Sequence, residues 1–296
     1  ARYVPSMPVE EYPEDPESME LAECDLSTFI PAFRNVAFSA STNETRLALT
    51  GVYADPEKNV LVATDGRRMT TRQLDAFLIK KDGIIPVTKT MLKTIPETGV
   101  GRIGITGDDN GEAFEIQTDS LRYVTKCIPG TYPNYAQVVP GNLSDFRTSF
   151  QFTNADLDTV KTLLPHLKAD SDRTLFVAGK GNRAAIGMES GDSGACVIAL
   201  PECGFDDPEA STFCVNGDLL AQALTHGFRN MKLLDARTPL YFQGDNGGTH
   251  LLMPLRYDVP ETLDLEFGKT FDGLPETAKA PEPTPVQKPS ESKPEA

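Results

Sequence analysis

"RYVTKCIPGTYP", residues 122–133, repeats the frame of "RYVPSMPVEEYP", residues 2–13: Arg-Tyr-Val opens both and Tyr-Pro closes both, 120 residues apart. A phrase shared over that distance points to tandem units of one design, because solenoid repeats are far shorter, roughly 20–50 residues. The pattern around it agrees. "DLSTFIPAFRNVAFSAS" puts Leu26, Phe29, Ile30, Phe33 and Val36 on one helical face behind Asp25 as N-cap, with Pro31 as a possible kink. Strand-like runs follow at 47–55 and 59–66, "IIPV" leads into a helix over 88–99, and runs at 101–106, 112–118 and 121–128 close the unit. The order then recurs, with a helix over 153–168, strands at 173–179, 183–189 and 194–201, a helix over 216–227, and strands at 230–236, 240–244 and 249–255.

This spacing predicts an α+β fold of tandem domains, each with two helices packed on antiparallel sheets. The expected divisions are 1–18, the end of a preceding unit with its linker; 19–140 and 141–257, two units; and 258–296, a disordered tail rich in Pro, Glu and Lys. No apolar run approaches the roughly 20 residues a membrane-spanning helix needs. The five cysteines form no CxxC pair, which argues against a metal ribbon and for free thiols in a reducing cytoplasm. A net charge of −15 argues against a general affinity for nucleic acid, but residues 1–24 alone carry seven acids against one Arg. The helices are close to neutral, so charge decides nothing about a DNA partner.

"VLVATDGRRM" (60–69) is the most distinctive motif. A strand running into Thr-Asp-Gly has two readings. Asp65 could serve a phosphate-directed hydrolase, with Arg67 and Arg68 as phosphate clamps, although the aspartyl phosphotransferases it resembles carry two aspartates here. Alternatively it is a tight turn, with Gly66 at positive φ and Asp65 bonding the backbone. His166, His226 and His250 lack the spacing of a metal site, and no phosphate loop follows a strand, so no metal or cofactor is expected. Two similar units without a catalytic constellation suggest a binding device rather than an enzyme.

Three stretches, "STNETRLALTGVYAD…NVLVATDGRRM" (41–69), "IPGTYPNYAQVVP" (128–140) and "HLLMPLRY" (250–257), resemble the bacterial sliding clamp, the β subunit of DNA polymerase III, in order and spacing. The resemblance corresponds to the family's middle and last domains and implies the DNA-clamp fold. In that family, three-domain subunits close head-to-tail into a homodimeric ring around duplex DNA, a non-catalytic processivity factor in the cytoplasm. The polymerase, the clamp loader and repair proteins dock short, partly hydrophobic peptides into a cleft between those two domains. The matching cleft positions are Arg46, Leu49, Thr64, Gly66, Arg67, Arg68, Met69, Pro133, Val138, Leu251, Met253, Pro254 and Leu255. Arg34, Lys89, Lys93, Lys161, Lys168 and Arg229, on or beside the helices, are the implied sequence-blind contacts to DNA phosphates. Arg67 stands where the family commonly has His. Without the family's first domain, half of each ring interface is absent, so this chain is expected to be a monomer.

Overall fold

The computed structural model describes residues 21–273, apart from 75–78, 109–110, 147, 169–171, 191–193, 208–210 and 245–246. The first copy of the repeated phrase, the 1–18 division and residues 274–296 therefore lie outside the described residues.

The first unit runs β1 (Ala22–Asp25), α1 (Leu26–Ala37), β2 (Gly51–Asp55), β3 (Val60–Thr64), β4 (Arg68–Gln73), β5 (Gly83–Pro86), α2 (Lys89–Thr94), β6 (Val100–Asp108), β7 (Gly111–Gln117) and β8 (Arg122–Lys126). The second runs β9 (Thr148–Gln151), α3 (Asn154–Leu163), β10 (Thr174–Lys180), β11 (Arg183–Ser190), β12 (Gly194–Leu200), β13 (Gly204–Asp206), β14 (Ser211–Asn216), α4 (Gly217–Thr225), β15 (Phe228–Leu233), β16 (Leu240–Gly244) and β17 (Gly248–Leu252). A final helix, α5 (Glu261–Gly273), comes after them.

Helices α1 to α4 each start where a side chain satisfies free amides of the first turn. Asp25 accepts from Ser27 N at 2.8 Å, Thr88 from Met91 N at 3.0 Å and Asn216 from Leu219 N at 3.0 Å. Thr153 and Asp156 form a reciprocal capping box. The first-helix caps, Asp25 and Thr153, and the second-helix caps, Thr88 and Asn216, are separated by the same 128 positions (153 less 25, 216 less 88). The apolar face expected on α1 is buried at Leu26, Phe29, Ile30, Phe33 and Val36.

The strands form antiparallel sheets in the orders β1-β6-β7-β8, β12-β11-β10-β14 and β13-β9-β15-β16-β17-β4-β3-β2-β5. The long sheet crosses from one unit to the other at a single ladder, β17 against β4, pairing Leu251 with Met69, His250 with Thr70 and Leu252 with Arg68. Strand alternation then divides the side chains. Leu61 and Ala63 of β3 point inward to the helices, while Val60 and Val62 point outward into a second apolar cluster. In the second unit Leu175 and Val177 of β10 face the helices, and Phe176 and Ala178 face out.

Several expectations need correction. Residues 44–50 form a short 3-10 helix, capped by Asn43, rather than the start of a strand. The second helix of the first unit is only Lys89–Thr94, and Ile95, just before Pro96, is already extended. The tail expected from 258 is helical over Glu261–Gly273, burying Leu263, Phe267 and Phe271. Its overall composition hid an apolar residue at every fourth position, which is a helical stripe.

At the seam a fully buried polar chain runs from Ser39 to Thr70, Oγ to Oγ1 at 2.6 Å, and on to His250 Nδ1 at 2.8 Å. The His250 ring is packed among Phe38, Phe228 and Phe242, at centroid distances of 5.5, 5.2 and 5.7 Å. Burial, with lesser contributions from nearby Arg68 and His226, lowers its pKa to about 3. The unfolded chain would protonate this histidine near pH 6.5 while the folded chain does not. Stability tied to His250 is therefore whole above about pH 6.5 and falls as the pH drops toward 3. His250→Gln should make stability less pH-dependent across this window, by as much as about 1.4 kcal/mol per pH unit. Denaturant melts of both proteins at several pH values check this; parallel pH dependences would refute it.

Candidate functional site

A cleft of about 210 Å³ opens on the outward face of the seam, lined by Leu49, Thr64, Gly66, Arg68, Met69, Pro133, Asn134, Tyr135, Val138, Pro239, Leu251 and Met253. Five separate stretches supply it: the 3-10 helix, the β3–β4 turn, the connector after β8, the approach to β16, and β17 with its exit. Its floor is Met69 opposite Leu251, both nearly buried, while Met253 and Val138 stand about half exposed at 42% and 50%.

The β3–β4 turn takes its shape from Asp65. Oδ1 of Asp65 accepts the amides of Arg67 at 2.8 Å and Arg68 at 3.0 Å, and Oδ2 accepts Arg68 Nε at 3.0 Å. Gly66 adopts φ +89, the left-handed region, and Arg46 Nη1 lies 2.9 Å from where a Cβ would stand. The turn reading of this motif is the one that matches the structure. With both carboxylate oxygens engaged, a nucleophilic role for Asp65 is not favoured.

Arg68 is 8% exposed and ties three elements together. Beyond Asp65, Nη1 donates to Gln222 Oε1 of α4 at 2.8 Å and Nη2 to the Phe38 carbonyl at the end of α1 at 2.7 Å. Burial lowers its pKa, and Asp65 opposes that by favouring the charged form. On the opposite wall, Tyr135 donates to Asp55 Oδ2 at 2.7 Å under Lys58, whose Nζ lies 4.7 Å from the ring centroid. Tyr132 stacks on Tyr53 at 4.8 Å. The connector is thereby pinned to the sheet.

Of the positions named from sequence, Leu49, Thr64, Gly66, Arg68, Met69, Pro133, Val138, Leu251 and Met253 converge here. Four do not line the cleft. Arg46 stands at its mouth beside Gly66. Arg67 reaches across the seam to Asp172 at 3.6 Å, because the turn that aims Arg68 inward turns its neighbour away. Pro254 is buried behind Met253. Leu255 bridges to Cys214 and packs on the outer face of the second unit. Asn134, Tyr135 and Pro239 were missed. Tyr135 lies between two residues that were named, whereas Pro239 is brought in by folding alone and carries no local signal.

Of the implied DNA contacts, Lys89, Lys93 and Lys161 are exposed on helices. Arg34 is paired with Glu97 and donates to the Ile95 carbonyl at 3.3 Å. Lys168 pairs with Glu189 at 2.8 Å and Arg229 donates to Asn154 Oδ1 at 2.6 Å. Among the described residues no group of His, Cys, Asp and Glu could hold a metal, and no helix is long and apolar enough to cross a membrane.

Two α+β units sharing one sheet, with a cleft at the join, define the class: a clamp-fold protein. Residues 23–134 match the family described as DNA polymerase III beta subunit, central domain. The beta sliding clamp of Synechococcus elongatus is 26% identical over 269 residues, 83% of this chain and 65% of that protein. That of Borreliella burgdorferi is 27% identical over 123 residues, 40% and 31% of the two chains. The Bacillus subtilis DNA polymerase sliding clamp superposes with TM-score 0.72 at 19% identity, covering 85% of this chain and 69% of that one. A sliding clamp from Bartonella birtlesii, solved bound to griselimycin, gives TM-score 0.70 at 21% identity, covering 85% and 70%. The chain is thus similar to the bacterial beta sliding clamps, shares the fold of their solved structures, and spans less than two thirds of the length of the curated relatives named above.

Arg68→Met should cost about 3 kcal/mol in a denaturant melt, since it strands Asp65, Gln222 and the Phe38 carbonyl at once. A cost below about 1 kcal/mol would mean that these bonds do not hold the units together.

Proposed function

We propose that the chain works as part of a DNA sliding clamp in the cytoplasm: a non-catalytic tether that helps to encircle duplex DNA and holds the replicative polymerase and other clamp-binding proteins. The observation that carries this is the cleft at the seam between the two units. Its floor is apolar, its polar groups are few, with Thr64, Arg68 and Tyr135 already bonded, and its walls come from both units. Such a concave site suits an apolar anchor peptide better than a reacting substrate. Met69 and Met253 suit a site that takes different partners, since the thioether repacks readily.

The DNA side of the proposal assigns Lys89, Lys93 and Lys161 to weak phosphate contacts, with Arg34, Lys168 and Arg229 held by neighbours in the protein-only state. A ring retains DNA by topology, so these contacts can be weak and sequence-blind, and sliding requires that they are. The ring itself rests on likeness to longer relatives and is part of the proposal.

A fluorescent clamp-binding peptide titrated against the chain tests the cleft. Met253→Asp places a charge at an exposed rim position, so the fold should stand while affinity drops about tenfold or more, a loss of roughly 1.4 kcal/mol. Equal affinity of the two proteins would remove the recruitment role.

A further inference from the structure

The two units repeat one design, yet their outward sheet faces are finished differently. Counting from the pair that closes each hairpin, Asp55 with Val60 and Lys180 with Arg183, Val62 corresponds to Ala185 and Thr64 to Gly187. The next strand pairs Thr64 with Met69 and Gly187 with Val197, so Met69 corresponds to Val197. The chain leaving each unit is anchored alike: Ile128 N donates to the Ile84 carbonyl at 2.8 Å, and Leu255 N to the Cys214 carbonyl at 2.8 Å. Thr64 and Met69 line the open cleft. Their counterparts lie beneath α5. A Cβ on Gly187 would meet Leu263 Cδ1 at 2.9 Å, Phe267 Cζ at 3.0 Å and Val197 Cγ2 at 3.1 Å.

We propose that the second unit carries a peptide-docking groove of its own and that α5, residues 261–273, is its built-in occupant. The inference rests on reading the seam cleft as a peptide site. The groove is an apolar floor of Phe176, Ala178, Ala185 and Val197, with Gly187 as the dent that admits Leu263 and Phe267. The helix presents Leu263, Phe267 and Phe271 at every fourth position, the pattern by which an amphipathic helix fills a groove. It leaves a cavity of about 140 Å³ at its leading end, lined in part by Phe176, Met188, Tyr257 and Pro260. The groove takes the same class of ligand as the cleft, a short apolar peptide, and α5 keeps it filled so that the intact chain offers one docking site.

The test compares the full chain with one ending at Tyr257, using a fluorescein-labelled clamp-binding peptide and stoichiometric titration. The full chain should bind one equivalent, abolished by Met253→Asp. The shortened chain should bind two, one abolished by Met253→Asp and the other by Gly187→Leu, which fills the dent. A shortened chain that binds one equivalent, or whose second equivalent survives Gly187→Leu, overturns the proposal. If the full chain binds no peptide, the cleft reading fails, and Gly187-sensitive binding to the shortened chain still decides the groove. Leu263→Asp with Phe267→Asp in the full chain releases α5 without truncation. Loss of cooperative unfolding in both forms would make α5 a fixed part of the unit and refute its role as an occupant.

Discussion

The main-chain ladder between β4 and β17 is the constraint on which the molecule turns. It is the one strand pairing that joins the two units among the described residues, and its register assigns every side chain at the join. Facing out, Met69 meets Leu251 and makes the floor of the cleft. Facing in, Thr70 meets His250 and completes a buried hydrogen-bonded chain. A slip of one residue would send the methionine into the core and the polar pair to the surface, so both faces resist it. The floor of the cleft and the joint are thus two sides of one ladder.

A sheet with helices on its inner face can leave its outer face polar. Here both outer faces are apolar, at Val60 and Val62 in the first unit and at Phe176 and Ala178 in the second. Apolar area of that extent needs cover. In the first unit the connector lays Tyr132 and Tyr135 over part of it and the cleft remains. In the second, α5 covers the corresponding strip. One architectural problem receives two answers, set by the segment attached to the last strand of each unit.

Much of this was legible in the sequence, and the parts that were not share a cause. The repeat, the α1 stripe and the turn at Asp65 arise from local spacing, which one stretch of chain determines by itself. Leu49, Met69, Leu251 and Met253 became recognisable through family resemblance, because no periodicity says that residue 69 lies beside residue 251. Pro239 stayed invisible, as it acts only through its place in the fold. Leu255 lies off the cleft because the chain leaving β17 carries it past Met253 onto the outer face of its own unit, beside Cys214. The α5 helix was overlooked for a different reason. Its acids and the Pro-rich chain after it dominate the composition, while three apolar residues at helical spacing are enough to dock it.

The cleft's charge distribution then limits how it can select a ligand. Arg68 lines it, but three of its five N–H donors are already bound to Asp65, Gln222 and the Phe38 carbonyl and the Asp65 carboxylate partners its charge, so a ligand carboxylate would have to share it. Lys58 lies over the Tyr135 ring and 3.5 Å from Asp55 Oδ2, which further engages the charges behind the tyrosine wall. Arg46 stands at the mouth beside Gly66. Selection inside the cleft therefore falls to apolar shape, where two methionines can adjust to side chains of different outline. Under the proposed recruitment role, a site built this way would favour exchange of partners over tight discrimination among them, because mismatched methylenes cost little beside an unpaired buried charge.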